Sequence, residues 1–245
     1  MPFASTTATT ASPSSLAHRG ARRCCAKRSK LVVRKTKAEA EHTRATLLDA
    51  AEQVFQRKGV AAATLNDVAR AAGMTRGAIY WHFRDKAELL HAMCERATLP
   101  MELLLTECAA TADSDPLGAL RAILVQSLRQ VATSQRQRTV FDILFHKCEV
   151  TGEMAPFFER EQRGREQWQA QIRELLRAAV RGGQLPPECD VVLAHHAVHA
   201  YLIGLLHEWL AHADYDLATS AEALVDALLA GLRHAPPRFG AAHGA

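Results

Sequence analysis

The chain has 245 residues, 48% apolar and 23% charged, a balance that fits one or two globular domains and excludes a disordered or fibrous chain. Its net charge of +4 is uneven: +6 over residues 1–33, +3 over 34–100 and −5 over 101–245, so the N-terminal half suits a polyanionic partner and the C-terminal half does not. No run of about 18 apolar residues occurs, because His195, His196, His199, His207 and Glu208 interrupt the longest greasy stretch, 191–210; a membrane partner is therefore not expected.

Residues 1–33 are rich in Ser, Thr, Ala and Arg without a hydrophobic period and read as a disordered extension, superficially like a transit peptide but without a secretory apolar region. From Thr36 a helical pattern begins. Leu47, Ala50, Ala51, Val54 and Phe55 share one face, and Gly59 stops the helix after Arg57 and Lys58. Thr64 and Asp67 form a capping-box-like pair ahead of Val68 and Ala71, and this second helix is short, ending at Gly73. Thr75 caps a third short helix that runs through His82, and Asp85 caps a longer one with Leu89, Leu90 and Met93.

Further apolar stripes follow: Leu117, Leu120, Leu124, Leu128 and Val131 after Asp115 and Pro116; Val140, Phe141, Leu144, Phe145 and Cys148; then Trp168, Ile172, Leu175, Leu176 and Ala179 after Pro156. Gly182, Gly183, Pro186 and Pro187 break the chain before two last helices, at about 190–212 and 217–233, and the tail 236–245 should fray. No strand period and no repeat is evident, so the fold class is all-α. The six cysteines, with no CxxC pair and no small secreted framework, read as free thiols in a reducing, cytoplasmic setting.

Two short helices joined by a tight turn at Ala72, Gly73 and Met74 read as a helix-turn-helix, with Gly73 supplying the permissive backbone. In that motif the second helix enters the major groove and needs a small or polar N-terminus and a packed inner face. Thr75, Arg76, Gly77 and Ala78 fit the first need, and Ile79 and Phe83 the second. Tyr80, His82 and Lys86 can reach phosphates, and Arg76 can read a guanine edge bidentately. Two short helices also meet in any helical bundle, and the pattern alone leaves that alternative open.

The run Thr75, Arg76, Gly77, Ala78, Ile79, Tyr80, Trp81, His82 and Phe83, followed by Lys86 and Leu89, resembles the signature of the TetR family of bacterial repressors. Thr43, Arg44, Ala50, Ala51, Phe55, Gly59 and Thr64 fit the same pattern. Arg34 to Lys37, Asp115 to Leu117, Ile143 to Glu149 and Gly152 to Met154 are similar to stretches of the AcrR-type repressors of multidrug efflux operons. The resemblance covers about residues 34–235. It implies a three-helix DNA-binding domain at 34–85, with Thr43, Thr64, Thr75, Arg76, Gly77, Ala78, Tyr80, Trp81, His82 and Lys86 at the DNA. It also implies a helical ligand-binding and dimerisation domain at 86–235, with a homodimer formed through about 190–233. Double-stranded DNA carrying a palindromic operator is the expected partner, and no cofactor is called for.

Two departures stand out. The extension has no counterpart in the family, and Val32 or Val33 sits where relatives place their initiator Met; the expectation is that translation starts there. Pro100 lies inside the expected connecting helix, which should bend or split near Leu99.

Phe141, Phe145, Trp168 and Ile172 lie on apolar faces, with Cys148 and Met101 nearby in pattern; the same residues would serve a plain core. The resemblance implies a large apolar cavity for a small apolar or amphipathic inducer, its lining drawn from Met101, Leu124, Ser127, Phe141, Leu144, Phe145, Cys148, Trp168, Ile172, His199 and Leu202, with Ser127, His199 and Gln171 as polar contacts. A soft, aromatic wall favours promiscuity.

An enzyme is disfavoured. His207, Glu208 and His212 imitate a zinc-protease motif with the wrong spacing, and no phosphate loop or GxSxG occurs. A metal-responsive regulator using His195 and His199, joined by His196, His146 or Cys148, has only two ligands guaranteed by spacing. An activator and a non-specific DNA-coating protein are the remaining alternatives.

Overall fold

The computed structural model describes residues 37–109, 114–149 and 151–238. The extension, with Val32 and Val33, lies outside the described residues, as does the side chain of Met101. No strand occurs among the described residues, which fold into nine α-helices.

Helix α1 (Lys37–Lys58) buries Leu47, Leu48, Ala51, Val54 and Phe55 on one face and ends at Gly59, whose φ of +77° only a glycine adopts at ease. Helix α2 (Leu65–Ala71) opens on a reciprocal cap: the Asp67 amide donates to the Thr64 hydroxyl at 3.1 Å, and the Thr64 amide donates to the Asp67 carboxylate at 3.1 Å. Gly73, at φ +67°, turns the chain into α3 (Arg76–His82), where the Ala78 amide donates to the Thr75 hydroxyl at 3.3 Å.

Helix α4 (Lys86–Ala109) continues through Pro100, so the expected split near Leu99 is corrected. A proline removes one backbone bond, and the intact turns on either side carry the helix past it. Helix α5 (Pro116–Thr133) starts on Asp115 with Pro116 in its first turn, and Ser134 both ends α5 and caps α6 (Gln135–Asp142). The apolar stripe at 140–148 does not stay α-helical. It passes into a π-helical turn, Ile143–Lys147, before α7 (Ala155–Arg181). Helices α8 (Val191–His212) and α9 (Leu217–His234) are each capped by an aspartate, Asp190 and Asp216. Ala213 closes α8 in the left-handed region at φ 48°.

Two hydrophobic cores result. The first joins α1–α4 to Val140, Ile143, Met154 and Phe157 from the C-terminal half. The second unites α5, α7, α8 and α9 around residues such as Leu120, Leu124, Ile172, Leu176, Val198 and Val225. Residues from Lys37 onward cluster as one compact unit, so a division at residue 85 is one of role and not a gap in packing. Ion pairs reinforce the join. Arg96 of α4 and Arg136 of α6 both pair with Asp49 of α1, at 2.9 and 3.0 Å, and both also reach Glu52.

Fraying directly after Pro236 is also corrected. Pro236 is buried, the Asp190 amide donates to the Pro237 carbonyl at 2.8 Å, and Arg238 forms an isolated antiparallel bridge with Cys189. Residues 239–245 lie outside the described residues.

Candidate functional site

Helix α3 is seated by its inner face. Ile79 and, at its end, Phe83 are buried in the first core, and the Arg44 guanidinium lies over the Phe83 ring at 5.2 Å. That seating turns the outer face to solvent. Tyr80 is 48% and Trp81 71% exposed, which is unusual for large rings without a partner. Thr75, Arg76 and Gly77 are exposed at the N-terminus, with the Arg76 guanidinium 5.5 Å from the Tyr80 ring centre. His82 meets Trp81 edge-on at 4.6 Å. A Cβ added at Gly77 would meet only the Thr75 hydroxyl, at 3.9 Å. Packing within the chain therefore does not demand a glycine there, whereas close approach of another backbone would.

Other residues expected at DNA are placed differently. Lys86 is 5% exposed; its ammonium donates to the carbonyls of Ala61 and Ala63 at 3.1 and 3.2 Å and pairs with Glu153 at 3.0 Å. It fastens the α1–α2 loop and does not point at solvent, which corrects the expectation that it reaches a phosphate. Thr43 is buried, with its hydroxyl donating to the Glu39 carbonyl at 2.7 Å. Thr64 stays exposed as the α2 cap; hydrogen bonds from Lys58 and Thr64 hold the Asp67 carboxyl at about 2. Arg44 and Arg84, exposed on either side of α3, carry positive charge that sequence reasoning did not select. Arg84 beside the Asp85 cap was the available signal.

The residues expected to line a ligand chamber do not all meet. Leu124, Ile172 and Leu202 are buried in the second core, and Phe141, Phe145 and Trp168 are half-buried against it. Phe141 and Phe145 lie 5.9 Å apart, and Phe145 is also 5.9 Å from His207 of α8. Trp168 meets His199 edge-on at 6.1 Å. Leu144 and Cys148 pack instead against the first core, a correction to their placement in one chamber with Phe141 and Phe145. The segment is sandwiched between the two cores, and each side takes part of its wide apolar face. Ser127 is buried with its hydroxyl donating to the Ile123 carbonyl at 2.8 Å, and Gln171 is exposed. Burial raises the Cys94 and Cys148 thiols above the usual range, so neither is a poised nucleophile.

A groove of about 460 Å³ lies where the end of α1 meets the π-helical turn, lined by Arg57, Lys58, Gly59 and residues 145–149. It is polar, unlike the apolar chamber expected. Among the described residues no three His, Cys, Asp or Glu side chains converge as a metal site requires. His146 packs on His207 at 4.7 Å, which on an α-helix is about 12 Å along the axis from His199. The metal-responsive alternative thus finds no ligand set here. No helix among the described residues is long and apolar enough to cross a membrane.

Comparison with known proteins gives two family matches. Residues 47–93 match bacterial regulatory proteins of the tetR family, and residues 115–234 match the C-terminal region of MAATS-type transcriptional repressors. The chain is 41% identical over 206 residues to the HTH-type transcriptional regulator TtgR of Pseudomonas putida, covering 84% of this chain and 98% of TtgR. Among solved structures it is similar to NalD, the secondary repressor of the MexAB-OprM multidrug efflux pump in Pseudomonas aeruginosa. That match has a TM-score of 0.73 and 34% identity over 81% of this chain and 100% of NalD. It is also similar to SmeT, the repressor of the Stenotrophomonas maltophilia multidrug efflux pump SmeDEF. Its complex with triclosan matches with a TM-score of 0.66 and 32% identity, over 78% of this chain and 91% of SmeT.

Proposed function

The chain belongs to the TetR family of bacterial regulatory proteins, and on that footing we propose that it represses a multidrug efflux operon, releasing its palindromic operator when a small amphipathic molecule enters its C-terminal helices. The observation that carries this reading is the outer face of α3, where Arg76, Gly77, Tyr80 and Trp81 stand exposed on a buried base of Ile79 and Phe83. Arg76 reads a base edge, the open Gly77 lets the DNA backbone approach, and Tyr80 and Trp81 lie against sugar and phosphate.

The repressor acts as a homodimer in the cytoplasm. Exposed Val192, Leu193 and Ile203 lie on α8, beside the small exposed faces of α8 and α9 that a two-fold helical bundle would cover. Two recognition helices must then sit about one DNA turn apart, roughly 34 Å. The π-helical turn is the coupling piece: Ile143 belongs to the core under the recognition helix and Phe145 packs against the ligand-side core. A ligand that favours one packing of this turn shifts the spacing of the two heads, and a differential affinity of about 1–3 kcal/mol weakens DNA binding 5- to 150-fold.

A nuclease footprint on the promoter region next to the gene tests the reading. A short palindromic protected stretch, lost on adding triclosan, is expected. Diffuse protection along the whole fragment would instead mark a coating protein.

A further inference from the structure

His195 is fully buried, at 0% exposure, beside Ala194, Val198 and Leu202 in the second core. Neither of its ring nitrogens has a hydrogen-bond partner among the described residues. Buried polar groups are nearly always paired, and an unpaired one is expensive enough to demand a reason. An apolar side chain of similar size would fill the site without that cost.

The surroundings supply the reason. The His195 ring stacks on His199 at 6.2 Å, and His199 meets the Trp168 ring at 6.1 Å, so a row of rings crosses from α8 to α7. Ile172, one turn beyond Trp168, and Leu202 are buried in the same core. The charged and titratable groups facing His195 are Arg173 of α7 and His196 and His199 of α8. Burial, aided by the nearby Arg173 charge, pushes its pKa below the ordinary histidine value, so the ring is neutral near pH 7. A neutral imidazole offers one donor and one acceptor. A carboxylate can accept from the N–H and an ammonium can donate to the bare nitrogen, but either brings a charge into an apolar core, which costs more than one hydrogen bond returns. A hydroxyl pairs with either nitrogen in either tautomer.

We propose that His195 is the specificity-determining polar residue of the ligand chamber, and that it selects amphipathic ligands carrying a phenolic or alcoholic hydroxyl seated beside Trp168 and Leu202. This rests on the reading that the C-terminal helices receive the inducer. The ligand's hydroxyl completes a hydrogen bond that the empty protein leaves unmade, and the apolar wall accepts the remainder of the molecule with little discrimination.

Calorimetric titration of the full chain with triclosan, a chlorinated phenol, and with its analogue carrying hydrogen in place of the hydroxyl tests this. The wild type should prefer the phenol by about tenfold or more, the size expected for one buried hydrogen bond. In His195→Phe the two compounds should bind within about twofold of each other, with the analogue lacking the hydroxyl unaffected, and His195→Asn should restore part of the preference. The ligand-free His195→Phe protein should melt no lower than wild type, because no internal hydrogen bond is lost. If the preference survives in His195→Phe, or if that variant melts lower and loses both compounds together, the proposal is overturned while the ligand-chamber reading stands. If the wild type binds neither compound, both fall.

Discussion

The ammonium of Lys86 lies 3.0 Å from the Glu153 carboxylate, tying the start of α4 to the short turn that precedes α7. The same nitrogen donates to the carbonyls of Ala61 and Ala63, so one buried cation holds three segments together. Lys86→Met strips those carbonyls of their donor and should lower stability by about 1–3 kcal/mol in urea denaturation. The slope of operator affinity against salt should stay that of the wild type. A slope reduced by about one unit with stability intact would restore Lys86 to a phosphate contact.

Gly77 separates binding from folding in the opposite direction. Nothing but the Thr75 hydroxyl lies near a Cβ built there. Gly77→Ala should therefore leave the melting temperature unchanged or raise it, through the better helix propensity of alanine, worth up to about 1 kcal/mol. It should weaken operator binding in fluorescence anisotropy, because the added methyl meets the DNA backbone. An alanine variant that binds as tightly as wild type would remove the close approach from the account.

Arg76 is exposed at the N-terminus of α3 with the Tyr80 ring beneath it. Arg76→Ala should lose about 1–3 kcal/mol on the operator and much less on random DNA, measured side by side at one salt concentration. Equal losses on both would make it a phosphate contact.

The α2 cap predicts an acid dependence. Hydrogen bonds from Lys58 and Thr64 hold the Asp67 carboxyl at about 2, below its ordinary value near 3.8. A depressed acid contributes stability above its unfolded pKa, and that contribution is lost as pH falls through the folded one. The destabilisation caused by Asp67→Asn, read by thermal melts, should thus be full above about pH 4 and fade as pH approaches 2. A constant difference across that window would mean the charge plays no part in the cap.

Val192, Leu193 and Ile203 are exposed apolar residues on α8. Ile203→Glu should shift the protein from dimer to monomer in sedimentation and abolish tight operator binding while leaving helical content near that of the wild type. A charge buried in a two-fold contact faces its own copy, so the penalty is doubled. A dimer that persists in this variant would place the interface elsewhere.

Much of this protein is written locally. Thr64 with Asp67, Thr75, Asp115 with Pro116 and the glycines at 59 and 73 mark helix ends through hydrogen bonds and backbone angles that span three or four residues. The recognition helix was legible for the same reason, since its exposed Arg76 and Tyr80 and its buried Ile79 and Phe83 follow from helical spacing alone.

Side chains that act across the chain were not legible. Whether Lys86 points to solvent or inward depends on Ala61, Ala63 and Glu153, and the last of these lies 67 positions away in sequence. Whether Leu144 joins Phe145 depends on two cores pressing on the segment from both sides. That His195 is buried without a hydrogen-bond partner among the described residues is a property of packed helices. Short-range bonding sets where helices begin and end; only their packing decides which polar atom is satisfied, and so which one is left to recognise something else.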